Sequence, residues 1–259
     1  MMELSKHITI VMFCGDVETS KIMYNGLREN IDIKMVVIEN RPPITLQFAR
    51  KFRKLGFWRT IGQVHFLIFN RLRSKADETV CRKIKSDCGL DDSNIPLEVV
   101  RRVDSINDKC VIDLVRSVNP CAVVVNGTRI ISRDIISRVG VPLVNLHMGI
   151  TPRYRGVHGA YWALANNDVE HCGVTVHLVD QGIDTGGVLY QDRIQVNNWD
   201  TINTYPLLQI AKGIELMKNA LFDIYLNRYA TKEGVQPSQL WYHPTIKEYL
   251  TTWIRSGIK

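Results

Sequence analysis

The sequence predicts an α/β fold built on a mainly parallel sheet, on three observations. Short apolar runs recur at 8–14, 33–39 and 121–126, stretches of helical character lie between them, and polar or glycine-bearing turns follow their carboxyl ends.

ITIVMFC at 8–14 predicts a buried strand closed by Gly15-Asp16, and residues 18–30 suit a helix. IKMVVIE at 33–39 follows at βαβ spacing and is ended by Arg41-Pro42-Pro43. From Leu46 to Lys85, Phe57, Trp58, Ile61, Val64, Phe66, Leu67, Phe69 and Leu72 mingle with Arg and Lys, the pattern of one or two amphipathic helices. Residues 95–104 predict a strand, 107–118 a helix, and CAVVVN at 121–126 a strand too apolar for an edge.

A short helix at 132–139 and a turn at Gly140 and Pro142 lead into the strand PLVNL, which leaves His147 just beyond its carboxyl end. Ligands of open α/β sheets bind there, because loops present polar groups while the sheet holds them rigid. Residues 158–167 predict a helix and GVTVHLVD at 173–180 a strand, followed by a loop that Gly182, Gly186 and Gly187 open to unusual backbone angles. A boundary near 192 divides an expected catalytic domain, 1–192, from a small carboxyl-terminal region, 193–259, holding a helix at about 204–227 and a tail with WYHPT at 241–245.

A chain of 259 residues, 45% hydrophobic and 23% charged, can bury a substantial core and resembles neither a disordered nor a repeat protein. Its six cysteines, Cys14, Cys81, Cys88, Cys110, Cys121 and Cys172, form no CxxC pair and no zinc spacing, so free thiols and no metal are expected. The start lacks a signal-peptide pattern and no apolar run reaches membrane-spanning length, which gives cytoplasmic localisation as the expectation.

The net charge of +7 is uneven: residues 41–85 hold twelve Lys or Arg against Asp77 and Glu78. Such a patch attracts phosphates, a polyglutamate tail, nucleic acid or an anionic membrane surface. Its apolar residues point either to packing against the sheet or to docking on a partner or membrane surface.

The chemistry concentrates in VNLHMGITPRYRG, 144–156. Asn145 and His147 stand at i and i+2, so on a strand they share a side and can address one reacting atom. An amide N–H donates to a developing oxyanion and an imidazole exchanges protons near neutral pH, a pairing suited to attack on a carbonyl. A carboxylate should bias the imidazole, and both Asp180 and Asp184 lie on the glycine-rich loop that follows a neighbouring strand. The residues alone leave His147 open between a catalytic and a buried structural histidine.

Residues 121–192 resemble the folate-dependent formyltransferase family, whose core pairs Asn-x-His, a Pro-x-Tyr-Arg-Gly stretch and an Asp-x-x-x-Asp-x-Gly loop, all present here in that order. The resemblance implies a Rossmann-like fold and a catalytic set of Asn145, His147 and Asp184, the last because it directly precedes Thr185-Gly186-Gly187. It implies 10-formyltetrahydrofolate as formyl donor, its folate pterin held largely by backbone of two loops that match Asn126-Gly127-Thr128-Arg129-Ile130-Ile131 and Asp180 to Asp184, with Asp180, Gly182 and Ile183 at the contacts. The chain departs from the family at Gly149-Ile150-Thr151-Pro152, which replaces the usual Ser-Leu-Leu-Pro. His158 and His177 match no catalytic position and read as structural, and Tyr161 and Trp162 read as core packing rather than ligand stacking.

Within the family the chain looks most like the sugar N-formyltransferases, which implies a nucleotide-linked amino sugar as acceptor, GDP-perosamine first, for bacterial O-antigen or other surface polysaccharide synthesis. The resemblance also implies a homodimer, with no nucleic acid partner. A methionyl-tRNA formyltransferase would carry a larger carboxyl-terminal domain than the 67 residues after position 192, although the basic segment keeps that alternative open. A glycinamide ribonucleotide transformylase would show a glycine-rich loop where this chain has Cys14-Gly15-Asp16-Val17-Glu18-Thr19, and a formyltetrahydrofolate hydrolase would carry an added amino-terminal module. A catalytically silent RNA- or membrane-binding protein is disfavoured because all three catalytic residues are present.

Overall fold

The computed structural model describes residues 7–40 and 52–259. The turn expected at Arg41-Pro42-Pro43 and the first eleven residues of the basic segment, 41–51, lie outside the described residues.

Seven strands form one sheet: β1 (Thr9–Gly15), β2 (Asp32–Glu39), β3 (Val100–Val103), β4 (Ala122–Asn126), β5 (Leu143–His147), β7 (Gly173–Leu178) and β8 (Val188–Arg193). They lie in the order β3-β2-β1-β4-β5-β7-β8. Neighbours from β3 to β5 are parallel, and β7 is antiparallel to both β5 and β8. The fold is therefore the mainly parallel sheet that the apolar runs predict, with the Rossmann-like character that the family resemblance implies. Chain order reverses between β1 and β4, and the crevice of such a sheet opens at that switch point, outside the carboxyl ends.

Period-two alternation divides each strand between two cores. Ile10, Met12, Val124, Val144 and Leu146 face a layer that includes helices α1 (Glu18–Arg28) and α6 (Tyr205–Tyr225). Val11, Phe13, Val123, Val125 and Leu143 face helices α3 (Cys110–Val118) and α4 (Arg133–Val139). Leu207, Ile210, Met217 and Leu221 of α6 thus share a core with the sheet, so the main core runs through the boundary expected near 192.

Several expected elements shift at their ends. The strand expected over 95–104 shrinks to β3, because Leu97–Val99 form a single 3-10 turn after Pro96. The strand expected as PLVNL runs one residue further, so His147 is the last residue of β5 rather than the first beyond it.

The basic segment resolves into residues 52–55, which are helical, and α2 (Phe57–Asp87). Only Thr60, Gln63, Phe66, Asp77 and Ile84 of α2 are buried. Phe66 joins a third core with Tyr161 and Trp162 of α5 (Gly159–Ala165) and Tyr249 of α7 (Ile246–Ser256). Asp77 accepts from Thr201 Oγ1 at 3.0 Å and from Asn203 Nδ2 at 2.8 Å. The helix packs mainly on α7 and α6 rather than on the sheet, with Ile84 its one buried residue in the main core, while Trp58, Ile68 and Leu72 remain exposed. Among the described residues no helix is long and apolar enough to cross a membrane.

The tail wraps back over the sheet's carboxyl edge. β9 (Leu240–Trp241) pairs in parallel with β6 (Arg155–Gly156). The Trp241 ring stacks on Trp162 at 4.7 Å between centroids and on Tyr154 at 5.8 Å. Trp162 Nε1 donates to the Tyr242 carbonyl, and Trp241 Nε1 donates to that of Arg153.

Candidate active site

A cavity of about 510 Å³ opens at the carboxyl ends of β4 and β5. Its walls come from the loop after β4, the end of β5, the Gly156–His158 turn, the loop after β7 and the start of α6. Every residue expected to act on the substrate or hold the donor lines it: Asn145, His147 and Asp184, the run 126–131, and Asp180, Gly182 and Ile183.

Strand geometry sets the first pair. Val144 and Leu146 face the main core, so Asn145 and His147 take the opposite face and point to one side of the cavity floor. His147 Nδ1 lies 3.3 Å from Asp184 Oδ2, and His147 Nε2 lies 2.7 Å from the Tyr154 carbonyl. Both partners are acceptors, so these surroundings favour protonation of the ring.

The electrostatics agree. Burial works against charge on His147, but the Asp184 carboxylate and the Tyr154 carbonyl outweigh it and raise the pKa above the ordinary 6.5. Burial likewise works to protonate Asp184, yet His147 and the Gly156 N–H, which donates to Asp184 Oδ2 at 2.9 Å, hold its carboxyl well below the ordinary carboxylate range.

The residues left a choice between Asp180 and Asp184 as partner of His147, and the structure brings Asp184 there. Asp180 accepts from the Gly182 N–H at 3.0 Å and from Thr185 Oγ1 at 2.8 Å, so it shapes the loop instead. The unusual backbone angle also falls elsewhere than expected: Asp184 itself has φ 51, and the loop's glycines are absent from the positive-φ residues. An aspartate tolerates that conformation because its short polar side chain finds partners nearby. Gly186 is required for close approach, since a Cβ there would lie 1.8 Å from the Leu178 carbonyl oxygen.

The segment 152–156 supplies Asp184 and His147 with backbone groups. Tyr154 gives its carbonyl to His147 and Gly156 its N–H to Asp184. Asp168 fixes that segment, accepting from Arg153 Nε at 2.6 Å and Tyr154 Oη at 2.8 Å. At Gly149 a Cβ would sit 2.5 Å from the Tyr154 carbonyl oxygen and 2.9 Å from His147 Nε2, so this backbone leaves little room for a larger residue.

The 126–131 loop is pinned from below. Buried Glu39, at the end of β2, accepts from the Ile106 N–H at 2.8 Å and the Arg129 N–H at 3.2 Å, and pairs with the Arg129 side chain. Asn107 donates to the Ile130 carbonyl and accepts from the Ser132 N–H. Asn126 spends its amide on Ser20 and Thr19 of α1.

Glu39 and Asn107 were not singled out by sequence, because neither belongs to a motif. A carboxylate closing an apolar strand was the available signal for Glu39. His177, expected to be structural, lines the cavity and lies 3.1 Å from Asn145. The signal there was strand pairing, since the two residues are opposite each other across β5 and β7. His158 also lines the cavity, 2.9 Å from His243, and burial pushes its pKa down to about 3, which leaves it neutral. Tyr161 and Trp162 belong to the third core, as the packing reading expected.

Among the described residues, no cation of the basic segment lines the cavity. Among the described lining residues Arg129 is the sole Lys or Arg. Helix α2 buries its polar and apolar inner stripe against α7 and the 201–203 turn, so Arg71 and Lys75 are left on its exposed side.

Residues 73–212 match the family described as Formyl transferase. A methionyl-tRNA formyltransferase from Finegoldia magna is 36% identical over 154 residues, which are 59% of this chain and 47% of that protein. The chain spans about half the length of the curated relatives it matches. Among solved structures, a 4-N formyltransferase from Francisella tularensis aligns with TM-score 0.56 and 16% identity over 95% of this chain and 79% of its own. Glycinamide ribonucleotide transformylase 1 from Symbiobacterium toebii aligns with TM-score 0.56 and 16% identity over 87% of this chain and 91% of its own. At such identity both likenesses speak for the fold.

Proposed function

The chain belongs to the formyl transferase family, and from that premise we propose that it moves a formyl group from 10-formyltetrahydrofolate to the amine of a nucleotide-linked amino sugar, with GDP-perosamine as the first acceptor to test. The observation that carries formyl transfer is the convergence of Asn145, His147 and Asp184 on one cavity floor beside the 126–131 and 180–184 loops.

The donor fits the residues present. The runs 126–131 and 180–184 face each other across the cavity, held by Glu39, Asn107 and Asp180, so their backbone groups are set before any ligand arrives. When bound, 10-formyltetrahydrofolate supplies the formyl carbon. Asn145 donates an amide N–H toward the oxygen on which charge develops, and a donor of this kind is worth roughly 3 kcal/mol.

In this reading His147 acts as an imidazolium, which the neighbouring Asp184 carboxylate and Tyr154 carbonyl favour. Its charge stabilises the same oxygen through a water-poor site, and a group already protonated does not serve as the first proton acceptor. The amine must therefore arrive neutral. One N–C bond forms to the acceptor, the N10–C bond breaks, and the acceptor's proton ends on N10 of tetrahydrofolate.

A cavity with a single Lys or Arg among its described lining residues supports an acceptor with few phosphates, such as a nucleoside diphosphate sugar. Similarity to methionyl-tRNA formyltransferases at 36% identity favours a second reading, in which the acceptor is charged initiator tRNA. Tetrahydrofolate release, followed across a panel of nucleotide-linked amino sugars and charged tRNA, decides between them. Release with GDP-perosamine is expected. Release with a dTDP-linked 3- or 4-amino sugar alone would replace the nucleotide, and release with tRNA alone would replace the acceptor class.

A further inference from the structure

With the Asn145 amide oriented as it stands, the contacts of His177 fit one tautomer. Its Nδ1 lies 2.7 Å from the Leu178 carbonyl oxygen, which only accepts, so Nδ1 carries a hydrogen. Its Nε2 lies 3.1 Å from Asn145 Nδ2, which only donates, so Nε2 is a bare acceptor. Turning the Asn145 amide over would set Oδ1 against Nε2 and require a second ring hydrogen. Asp184 Oδ1, at 3.7 Å from Nε2, is beyond hydrogen-bond reach.

We propose that His177 is a positioning residue for Asn145. The neutral, Nδ1-protonated ring holds one Asn145 N–H, so the amide presents its NH2 end at the floor of the cavity and keeps its second N–H for the reacting oxygen. The torsion of a free asparagine amide is broad and roughly two-fold. Without a fixed acceptor, Oδ1 would often take the place of the donor and face the developing negative charge.

The surroundings make the device rigid. Asn145 and His177 are partners across the antiparallel β5–β7 pair, and the His177 side chain is 3% exposed. Water is thus a poor substitute for the ring. The role rests on the formyl-transfer reading of Asn145, and its test separates the two.

Long-range proton–nitrogen NMR of the full chain at pH 8 reads the ring directly, and the neutral Nδ1–H tautomer is expected. An Nε2–H tautomer or an imidazolium overturns the proposal, whatever reaction the protein performs. In turnover, His177→Phe should lower kcat by about tenfold or more with the donor KM within about twofold. His177→Gln, whose Oε1 can accept from Asn145, should recover most of that loss.

An Asn145→Ala/His177→Phe double variant should be no slower than Asn145→Ala alone, because the ring acts only through the amide. A folded His177→Phe variant within twofold of wild type, or a double variant slowed by the product of the single effects, overturns the proposal. If His177→Phe does not fold, His177→Gln and the tautomer measurement decide. If the wild-type protein transfers no formyl group to any acceptor, the proposed reaction fails and the tautomer alone decides the Asn145–His177 pairing.

Discussion

The cavity at the strand ends and the outer face of α2 are both rich in residues that invite a functional reading, yet only the first assembles. At the cavity, side chains from β5, β7 and the loop after β7 meet one another and the backbone of the 154–156 segment within hydrogen-bond distance. Along α2, Arg71 and Lys75 stand exposed beside Ile68 and Leu72 and converge on nothing among the described residues. Strand register fixes which way a side chain points, whereas a charge on a helix satisfies its solvation by facing out. A short motif on strand ends is therefore stronger evidence of a site than a larger surplus of charge.

The largest effects should come from the dyad. His147→Asn and Asp184→Asn are each expected to lower kcat by at least about a hundredfold with circular dichroism unchanged, since both groups serve charge that develops during reaction. A folded variant with near-normal turnover would take that residue out of the mechanism and weaken the contrast with α2.

The same dyad should mark the stability curve. The His147 pKa is raised above 6.5, so its contribution is complete below 6.5 and is lost as pH rises through the folded value. The Asp184 pKa is lowered, so its contribution is complete above 3.8 and is lost as pH falls through the depressed value. These are two views of one interaction, fully present between 3.8 and 6.5. Urea unfolding at pH 6 should find Asp184→Asn less stable than wild type by about 3 kcal/mol, the low end for breaking a buried pair. That difference should shrink as pH rises past the His147 value. A difference constant from pH 6 to pH 10 would show that the pair is not ionic.

The parallel sheet, the strand-end location and the three catalytic candidates were legible because apolar runs and an ordered motif are local signals. What escaped was held by distant pairing. His177 gains its partner from the β5–β7 register, and Glu39 from a loop 90 residues on. The clasp of Trp241 over Tyr154 and Trp162 joins the tail to the motif through ring stacking that no spacing reveals. The reach of α6 into the main core was hidden for the same reason, since a helix pattern gives a buried stripe but not what covers it.

Gly149 tests whether the motif's departure from the family is structural. A Cβ at 2.5 Å from the Tyr154 carbonyl oxygen must push that oxygen away from His147. Gly149→Ala should cost about 1–3 kcal/mol in urea unfolding, the usual range for overpacking. A moderate loss of turnover, about tenfold, should accompany it through the displaced imidazolium. Unchanged turnover would mean that the Tyr154 carbonyl is dispensable to His147.

The smallest effect is expected on α2, where it discriminates most between acceptors. Arg71 and Lys75 are exposed and do not line the cavity, so an Arg71→Glu/Lys75→Glu variant should keep kcat/KM for a nucleotide-linked amino sugar within about twofold of wild type. A small dianionic substrate feels two distant reversed charges only weakly, because the Debye length is about 8 Å at physiological salt. A polynucleotide would extend past the cavity mouth onto neighbouring surfaces, and each lost phosphate contact weakens its binding in a salt-dependent way. If the variant loses tenfold or more with charged tRNA, and the loss shrinks as salt rises, the outer face of α2 becomes part of the acceptor site. The two regions then act together, and the single arginine among the cavity's described lining residues no longer limits the acceptor to a nucleoside diphosphate.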